Sequence, residues 1–171
     1  MAANPSPNFM SYLTVPNQPS LNEALGRLAI AHTHLELILR YCVKTIADLT
    51  IQQALDATEG DRLSDLRVRI KQLFKERRPT ALEKANLDAL LGQAKRLSEM
   101  RHSFLHSEWS ETAAGKTIMK GEDHQWGPAP SEKQILDVVK ELTSLVAEIN
   151  EARLTGFIKN VVARFQVLQV P

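Results

Sequence analysis

Residues 100–110 concentrate side chains that could do chemistry. Along the chain they read Met-Arg-His-Ser-Phe-Leu-His-Ser-Glu-Trp-Ser. Arg101 stands where the apolar stripe of a predicted helix would carry leucine, so its guanidinium should point toward the core or a cleft. An unpaired charge in such a place is costly. The arginine therefore either completes a buried ion pair or holds a phosphate, whose oxygens suit its planar set of donors.

His106 follows Arg101 by five residues. The 3.6-residue period of an ideal helix turns it by about 140 degrees, so the two side chains are not expected to share one face of a straight helix. Cooperation between them would need the helix end or a second subunit. A histidine exchanges protons near neutral pH, which suits it to remove a hydroxyl proton in phosphoryl transfer. The alternative is an ordinary hydrogen-bonded surface histidine.

Other titratable residues give weaker indications. His102 and His106 are four residues apart, but no third ligand with a recognisable spacing joins them, and we predict neither a metal site nor a cofactor. His32 interrupts the apolar stripe of the first long helix and is interpreted as a satisfied core histidine. Glu36, one turn further on, could reach across the bundle to pair with Arg101. Its alternative is a solvated carboxylate with a short intrahelical contact.

A basic segment covers residues 67–78. It holds one carboxylate, Glu76, and six cations: Arg67, Arg69, Lys71, Lys75, Arg77 and Arg78. Such a face could follow a phosphate backbone, although most charged helix faces are simply solvated. Trp109 and Trp126 could stack on bases or pack beneath the segment that contains them. Residues 67–78 are therefore a candidate RNA-binding surface, and a solvated helix face is the alternative.

Composition limits the functions that can be considered. The chain has 171 residues, which suits one domain, and a formal net charge of +1, which is not the strongly basic balance of a typical nucleic-acid binder. Any such role must rest on local charge. The single cysteine, Cys42, lies in an apolar helical register and is expected to be a buried, inert thiol. Because the sequence has neither a long apolar run nor a basic, apolar leader, a soluble cytoplasmic protein is expected.

Helical periodicity and capping signals organise the chain. Residues 1–19 hold four prolines and no charge and are predicted to form an extended arm. Residues 20–171 are predicted to form one all-α domain, an up-and-down bundle of four to five helices. Within this domain, between the third long helix and the last helix, residues 110–130 form a glycine- and proline-rich excursion in which 116–120 could be one arm of a hairpin. Predicted helix caps are Ser20 with Glu23, Thr50 with Gln53, Asp61, Thr80 with Glu83, and Ser131 with Gln134.

These caps set the expected helices. The first long helix begins at residue 20, and a short helix follows and stops near Gly60. The next covers residues 62 to about 77 and is ended by Pro79, and a third long helix from Thr80 ends near Trp109. The last helix continues past Gly156 to about residue 165. The third long helix therefore carries Arg101, His102 and His106 at its end.

The arrangement of Arg101, His102 and His106 at a helix end resembles the Arg-x4-His motif of the HEPN superfamily, whose members are compact helical bundles. The features around it are of the same kind: a long first helix with Glu36, a basic second helix, Trp109 just after the motif and a terminal helix. The resemblance covers about residues 20–165. It implies a HEPN-like bundle in which His102 occupies a polar position that is frequently asparagine or aspartate in the family.

The resemblance also implies a function. It makes the chain a metal-independent endoribonuclease in which His106 takes the proton of a ribose 2'-hydroxyl and Arg101 stabilises charge on the attacked phosphate, leaving a 2',3'-cyclic phosphate. His102 would orient Arg101 or the phosphate. Family members commonly form homodimers in which two motifs meet in one cleft, and small members serve as toxins or defence effectors with an antitoxin partner. The alternative is a non-catalytic dimerisation or binding module in which Arg101 closes a buried ion pair.

Overall fold

The computed structural model describes residues 18–112, 114–121 and 123–168. These ranges contain six helices and three short strands. Their bounds are α1 Pro19–Ala47, α2 Ile51–Ala57, α3 Leu63–Glu76, α4 Ala81–His106, β1 Trp109–Glu111, β2 Thr117–Lys120, β3 Trp126–Pro128, α5 Glu132–Leu154 and α6 Phe157–Val167. The predicted all-α bundle is confirmed, with one helix more than expected. Apart from residues 18 and 19, the predicted N-terminal arm lies outside the described residues.

Helix α1 is the centre of the bundle. It packs against α3, α4, α5 and α6, because its apolar side chains recur at steps of three and four residues and so line one side of the helix. Cys42 is buried on this side as predicted, and burial raises the pKa of its thiol to about 12. The largest fully buried side chains are Leu28, Leu35, Leu39, Ile46, Leu66, Ile70, Phe74, Leu91, Leu97, Ile135, Leu142 and Leu145.

Three of the predicted capping boxes are confirmed. Thr50, Thr80 and Ser131 each accept a hydrogen bond from the backbone of the third helical residue, whose side chain accepts one from the cap backbone in return. Each box satisfies two of the backbone amides that a helix start leaves without partners. The starts of α2, α4 and α5 are therefore encoded locally.

Two predicted caps are wrong. Helix α1 begins at Pro19 rather than after Ser20, because proline has no amide hydrogen and a preset φ, which suit the first helical position. Glu23 instead pairs with Arg27 at 2.6 Å. Helix α3 is capped by Arg62, whose amide donates to the Asp65 carboxylate at 3.1 Å.

The Asp61 carboxylate lies outside that cap. It accepts from the Arg69 side chain at 3.0 Å, and its backbone carbonyl accepts from Arg40 at 3.2 Å. Asp61 therefore ties the link before α3 to both α1 and α3.

The last helix is interrupted where continuity was predicted. The amides of Thr155 and Gly156 both donate to the Glu151 carbonyl, at 3.0 and 2.9 Å, and the helix stops there. A Cβ at Gly156 would lie 2.9 Å from the Cα of Ala152, so the turn closes too tightly for a side chain. Glycine also stabilises a helix poorly. The chain therefore changes direction between α5 and α6.

The excursion after α4 is a three-stranded antiparallel sheet in the order β1-β2-β3. The predicted hairpin arm at 116–120 is confirmed as β2, the central strand. Helix α4 ends at His106, earlier than predicted, because the chain turns into β1. The indole of Trp109 donates to the Phe104 carbonyl at 3.0 Å and so satisfies one of the free carbonyls of the last helical turn. This bond holds the start of the sheet against the end of α4.

Candidate functional site at the end of helix α4

Arg101 and His106 meet within one chain. Arg101 Nη1 lies 3.1 Å from His106 Nε2. The expected separation of about 140 degrees is overcome because the long arginine side chain reaches along the last turn of α4. His106 is the final residue of that helix and is exposed, whereas Arg101 is half-buried. The helix end therefore brings the two side chains into contact within one chain.

The hydrogen bond between Arg101 and His106 has a defined direction. A guanidinium has donors and no acceptor, so Nε2 of His106 accepts the bond with its lone pair. In this conformation that lone pair is occupied by Arg101.

The inner side of Arg101 is incompletely satisfied. Its Nε is buried and has no hydrogen-bond partner among the described residues. The side chain lines a cavity of about 320 Å³ whose wall also includes Arg62, Arg67, Lys95, His32, Ser98, Glu36 and Glu99. Four cations and two carboxylates therefore surround this space. The excess of cations favours an anion in this space.

Glu36 lies on the wall of the same cavity, but its ionic contact is with His32, at 3.5 Å from Nδ1. No Glu36–Arg101 ion pair within 4 Å occurs in the part of the chain that the structure describes. His32 is buried and its Nε2 lies 3.0 Å from the Ser98 hydroxyl, which confirms the satisfied core histidine. Burial lowers the pKa of His32, and the Arg101 charge acts in the same direction, while Glu36 opposes them.

His102 lies against His106 on the outer side of the helix. The two ring centroids are 4.6 Å apart, with a tilt of 41 degrees between the rings. Both histidines line a second cavity, of about 270 Å³. Its wall also includes Ser103, Ser107, Glu108, Lys120, Gly121 and His124. Arg101 thus lies on the first cavity and touches, through its Nη1, a residue of the second.

Sequence reasoning missed the residues that the sheet contributes to this second cavity. The Lys120 amide donates to the Glu108 carbonyl at 2.9 Å, and its ammonium lies 3.2 Å from the Glu108 carboxylate. This pairing brings the end of β2 and the turn with His124 beside the end of α4. The signal available in the sequence was a histidine within a turn-rich excursion, but its proximity to His106 depends on strand pairing between residues far apart in the chain.

The cations of the predicted basic segment line two different cavities, and several of them have partners within the folded chain. Arg67 lines the Arg101 cavity while its Nε donates to the Leu91 carbonyl at 2.9 Å. Arg77 donates to the Ile46 carbonyl at 2.9 Å and lies over the Phe165 ring. Arg69 pairs with Asp61, and Lys71 pairs with Asp88 at 2.6 Å. Lys71, Lys75 and Arg78 line a separate cavity of about 200 Å³ together with Lys84.

The two tryptophans lie in the sheet. Trp109 is half-buried, packs against the core and uses its indole N–H for the Phe104 bond. Trp126 is also half-buried and stands opposite Lys120 in the strand register. The packing alternative therefore describes Trp109.

The described residues hold no group of three or more His, Cys, Asp or Glu side chains placed to bind a metal ion. In the same residues no helix is both long and apolar enough to cross a membrane. Comparison with known proteins gives no assignment, since no family model, no curated protein and no solved structure matches the chain.

Proposed function

We propose that this protein is a HEPN-like, metal-independent endoribonuclease that cleaves RNA through attack by a ribose 2'-hydroxyl. The observation that carries the proposal is the 3.1 Å contact between Arg101 and His106 at an exposed helix end that borders two cavities. A base and a phosphate-binding cation are two of the groups that this reaction uses.

In the proposed reaction His106 Nε2 takes the proton of the 2'-hydroxyl. The 2'-oxygen then forms a bond to phosphorus while the bond from phosphorus to the 5'-oxygen breaks. The 5'-oxygen takes up a proton from an acid, either a side chain or water, as it leaves, so that the products are a 2',3'-cyclic phosphate and a 5'-hydroxyl. Arg101 donates to the non-bridging phosphate oxygens, which gain charge in the transition state.

The charges around Arg101 support this role. Its side chain lines a cavity that is surrounded by four cations and two carboxylates. Arginine can bind a phosphate through two parallel N–H donors. The excess of cations therefore favours an anionic ligand at this cavity over a closed internal ion pair.

The bond between Arg101 and His106 has a consequence for substrate binding. A phosphate that draws the guanidinium onto its own oxygens releases the lone pair of His106 Nε2. The base then becomes available only when a phosphate is present. His102, whose ring contacts that of His106, holds the base in position in this account.

The resemblance to the HEPN superfamily also leads us to propose an oligomeric state and a biological role. The protein acts as a homodimer and serves as a toxin or defence effector with an antitoxin or other protein partner. Because Arg101 and His106 already touch within one chain, each protomer brings its own pair to a shared cleft. Of the basic residues of α3, Arg67 is the one that lines the Arg101 cavity and could reach the substrate there.

A second function, a non-catalytic binding module, is favoured by one observation. Arg67, Arg69, Lys71 and Arg77 of the basic segment all have partners inside the folded chain. In that case the contact between Arg101 and His106 would close the helix end and do no chemistry. The effect of Arg101 on stability separates the two functions.

The test of the proposal is cleavage of labelled single-stranded RNA in the presence of EDTA. We expect wild-type cleavage and its loss in both Arg101→Ala and His106→Ala, with folding and oligomeric state matched to wild type. As a matched control, His34→Ala removes an exposed histidine of α1 and should cleave normally. Absence of wild-type cleavage on varied RNAs, or activity that survives both changes, would favour the binding module.

A further inference from the structure

The cavity of about 270 Å³ beside His106 is built from two elements. Helix α4 contributes His102, Ser103 and His106, and the β2–β3 turn contributes Gly121 and His124, with Lys120 next to it. Three of the five histidines of the chain line this one space. The proposed reaction assigns a proton transfer to one of them, His106, and leaves the turn without a role.

The proposed cleavage needs a second proton transfer. The 5'-oxygen is a poor leaving group unless an acid gives it a proton. The attacking and leaving oxygens lie roughly in line on opposite sides of phosphorus. The acid must therefore lie away from the base. His102 does not meet this condition, because its ring packs directly on that of His106. Lys120 is held by the Glu108 carboxylate at 3.2 Å.

His124 lies on the hairpin part of the cavity wall, whereas His106 lies on the helix, so the two histidines line the cavity from different elements. The side chain of His124 is exposed and makes no hydrogen bond or ion pair within the residues that the structure describes. Its backbone has φ of 60°, a left-handed conformation fixed by the turn in which the His124 amide donates to the Gly121 carbonyl at 3.0 Å. The turn therefore fixes the backbone position from which the His124 side chain extends.

Resting on the function proposed above, we propose that His124 is a second catalytic histidine, the general acid that protonates the 5'-oxygen of the RNA as the bond to phosphorus breaks. His106 takes a proton from the 2'-hydroxyl and His124 gives one to the 5'-oxygen, so each histidine ends the step in the other's starting state. The charged and titratable groups that share this cavity are Glu108, Lys120, His102 and His106. Glu108 and Lys120 offset each other.

The test uses two RNA substrates. One is ordinary RNA, and the other carries sulfur in place of the bridging 5'-oxygen at the cleaved position. A thiolate leaves without protonation, so the second substrate does not need a general acid. The variant is His124→Asn, because asparagine accepts the left-handed conformation of the turn. His34→Asn, at an exposed histidine of α1, is the matched control.

We expect His124→Asn to slow cleavage of ordinary RNA by about 100-fold or more, the usual contribution of a general acid. It should cleave the sulfur-containing substrate at the wild-type rate, and the limb of the pH–rate profile at high pH should disappear with ordinary RNA. His106→Ala should slow both substrates, and His34→Asn neither. A merely structural role for His124 would slow both substrates equally.

The outcomes separate this inference from the proposed function. If the wild type cleaves RNA and His124→Asn slows both substrates equally, or slows neither, His124 is not the acid although the ribonuclease proposal stands. If the wild type cleaves neither substrate, both are overturned.

Discussion

Replacing Arg101 by methionine separates a functional from a structural arginine. Methionine keeps the unbranched stem and stabilises helices about as well as arginine, so the change removes mainly the guanidinium. Two contributions to the free energy of unfolding follow from the structure. The change removes the hydrogen bond to His106 and also removes the buried, unpartnered Nε.

The two contributions have opposite signs. A hydrogen bond from a charged group contributes about 1.5–3 kcal/mol, and a buried donor without a partner costs about 1–3 kcal/mol. The two contributions nearly cancel, so the free energy of unfolding of the variant should stay within about 1 kcal/mol of wild type, which limits the change in Tm to about 2–4 °C for a chain of this length. Cleavage should fall at the same time by about 100-fold or more, the usual effect of losing one donor to a transition-state oxyanion.

The assay combines urea unfolding followed by circular dichroism with RNA cleavage on the same protein preparation. His34→Ala serves as the matched surface control and should change neither quantity. A loss of about 3–5 kcal/mol in the free energy of unfolding of Arg101→Met, the effect of opening a buried ion pair, would contradict this expectation. Arg101 would then be a structural residue, as the binding-module function requires.

Three further predictions follow from the described contacts. Burial holds the pKa of His32 below its ordinary value of 6.5, so just below that pH the unfolded chain binds more protons than the folded chain. The free energy of unfolding in urea should therefore be full above pH 6.5 and fall as the pH drops. This fall should be smaller in His32→Gln. Hydrogen bonds from Arg164 hold the pKa of Glu83 at about 2, below its ordinary value of 4.5. The stability of the folded protein should therefore decrease as the pH falls from 4.5 toward 2. Thermal unfolding should show a less steep decrease in Glu83→Gln. Mixing inactive Arg101→Ala and His106→Ala proteins after joint refolding should restore no cleavage, because the pair acts within one chain; partial recovery would show that it acts across two chains.

Local signals predicted much of the fold. The boxes at Thr50, Thr80 and Ser131 involve only neighbouring residues, and the periodic apolar stripes require burial on one side, so helix starts and the bundle could be derived from the sequence. The start of α1 was mistaken because Pro19 competes with the capping pattern that follows it. The sequence pattern does not predict the break at Gly156, because the break depends on how closely the turn approaches Ala152.

The candidate site was only partly predictable, because its contacts join residues whose proximity depends on the folded structure. Arg101 and His106 were identified from residue type and spacing, but their contact depends on the reach of one side chain along the helix end. Glu36 was placed near Arg101, and the structure puts it on the same cavity while its carboxylate contacts His32. His124 was missed because the pairing of β2 with the chain after α4 is what brings the turn to His106. Long-range pairing of this kind leaves no local pattern.

The most direct test of the central claim is analysis of the RNA ends left by the protein, by mass spectrometry of the fragments formed with EDTA present. Attack by the 2'-hydroxyl at the Arg101–His106 pair predicts 2',3'-cyclic phosphate on the upstream fragment, 5'-hydroxyl on the downstream fragment, and neither product with His106→Ala. Fragments ending in 3'-hydroxyl and 5'-phosphate, or the same cyclic ends from His106→Ala in equal amount, would contradict it.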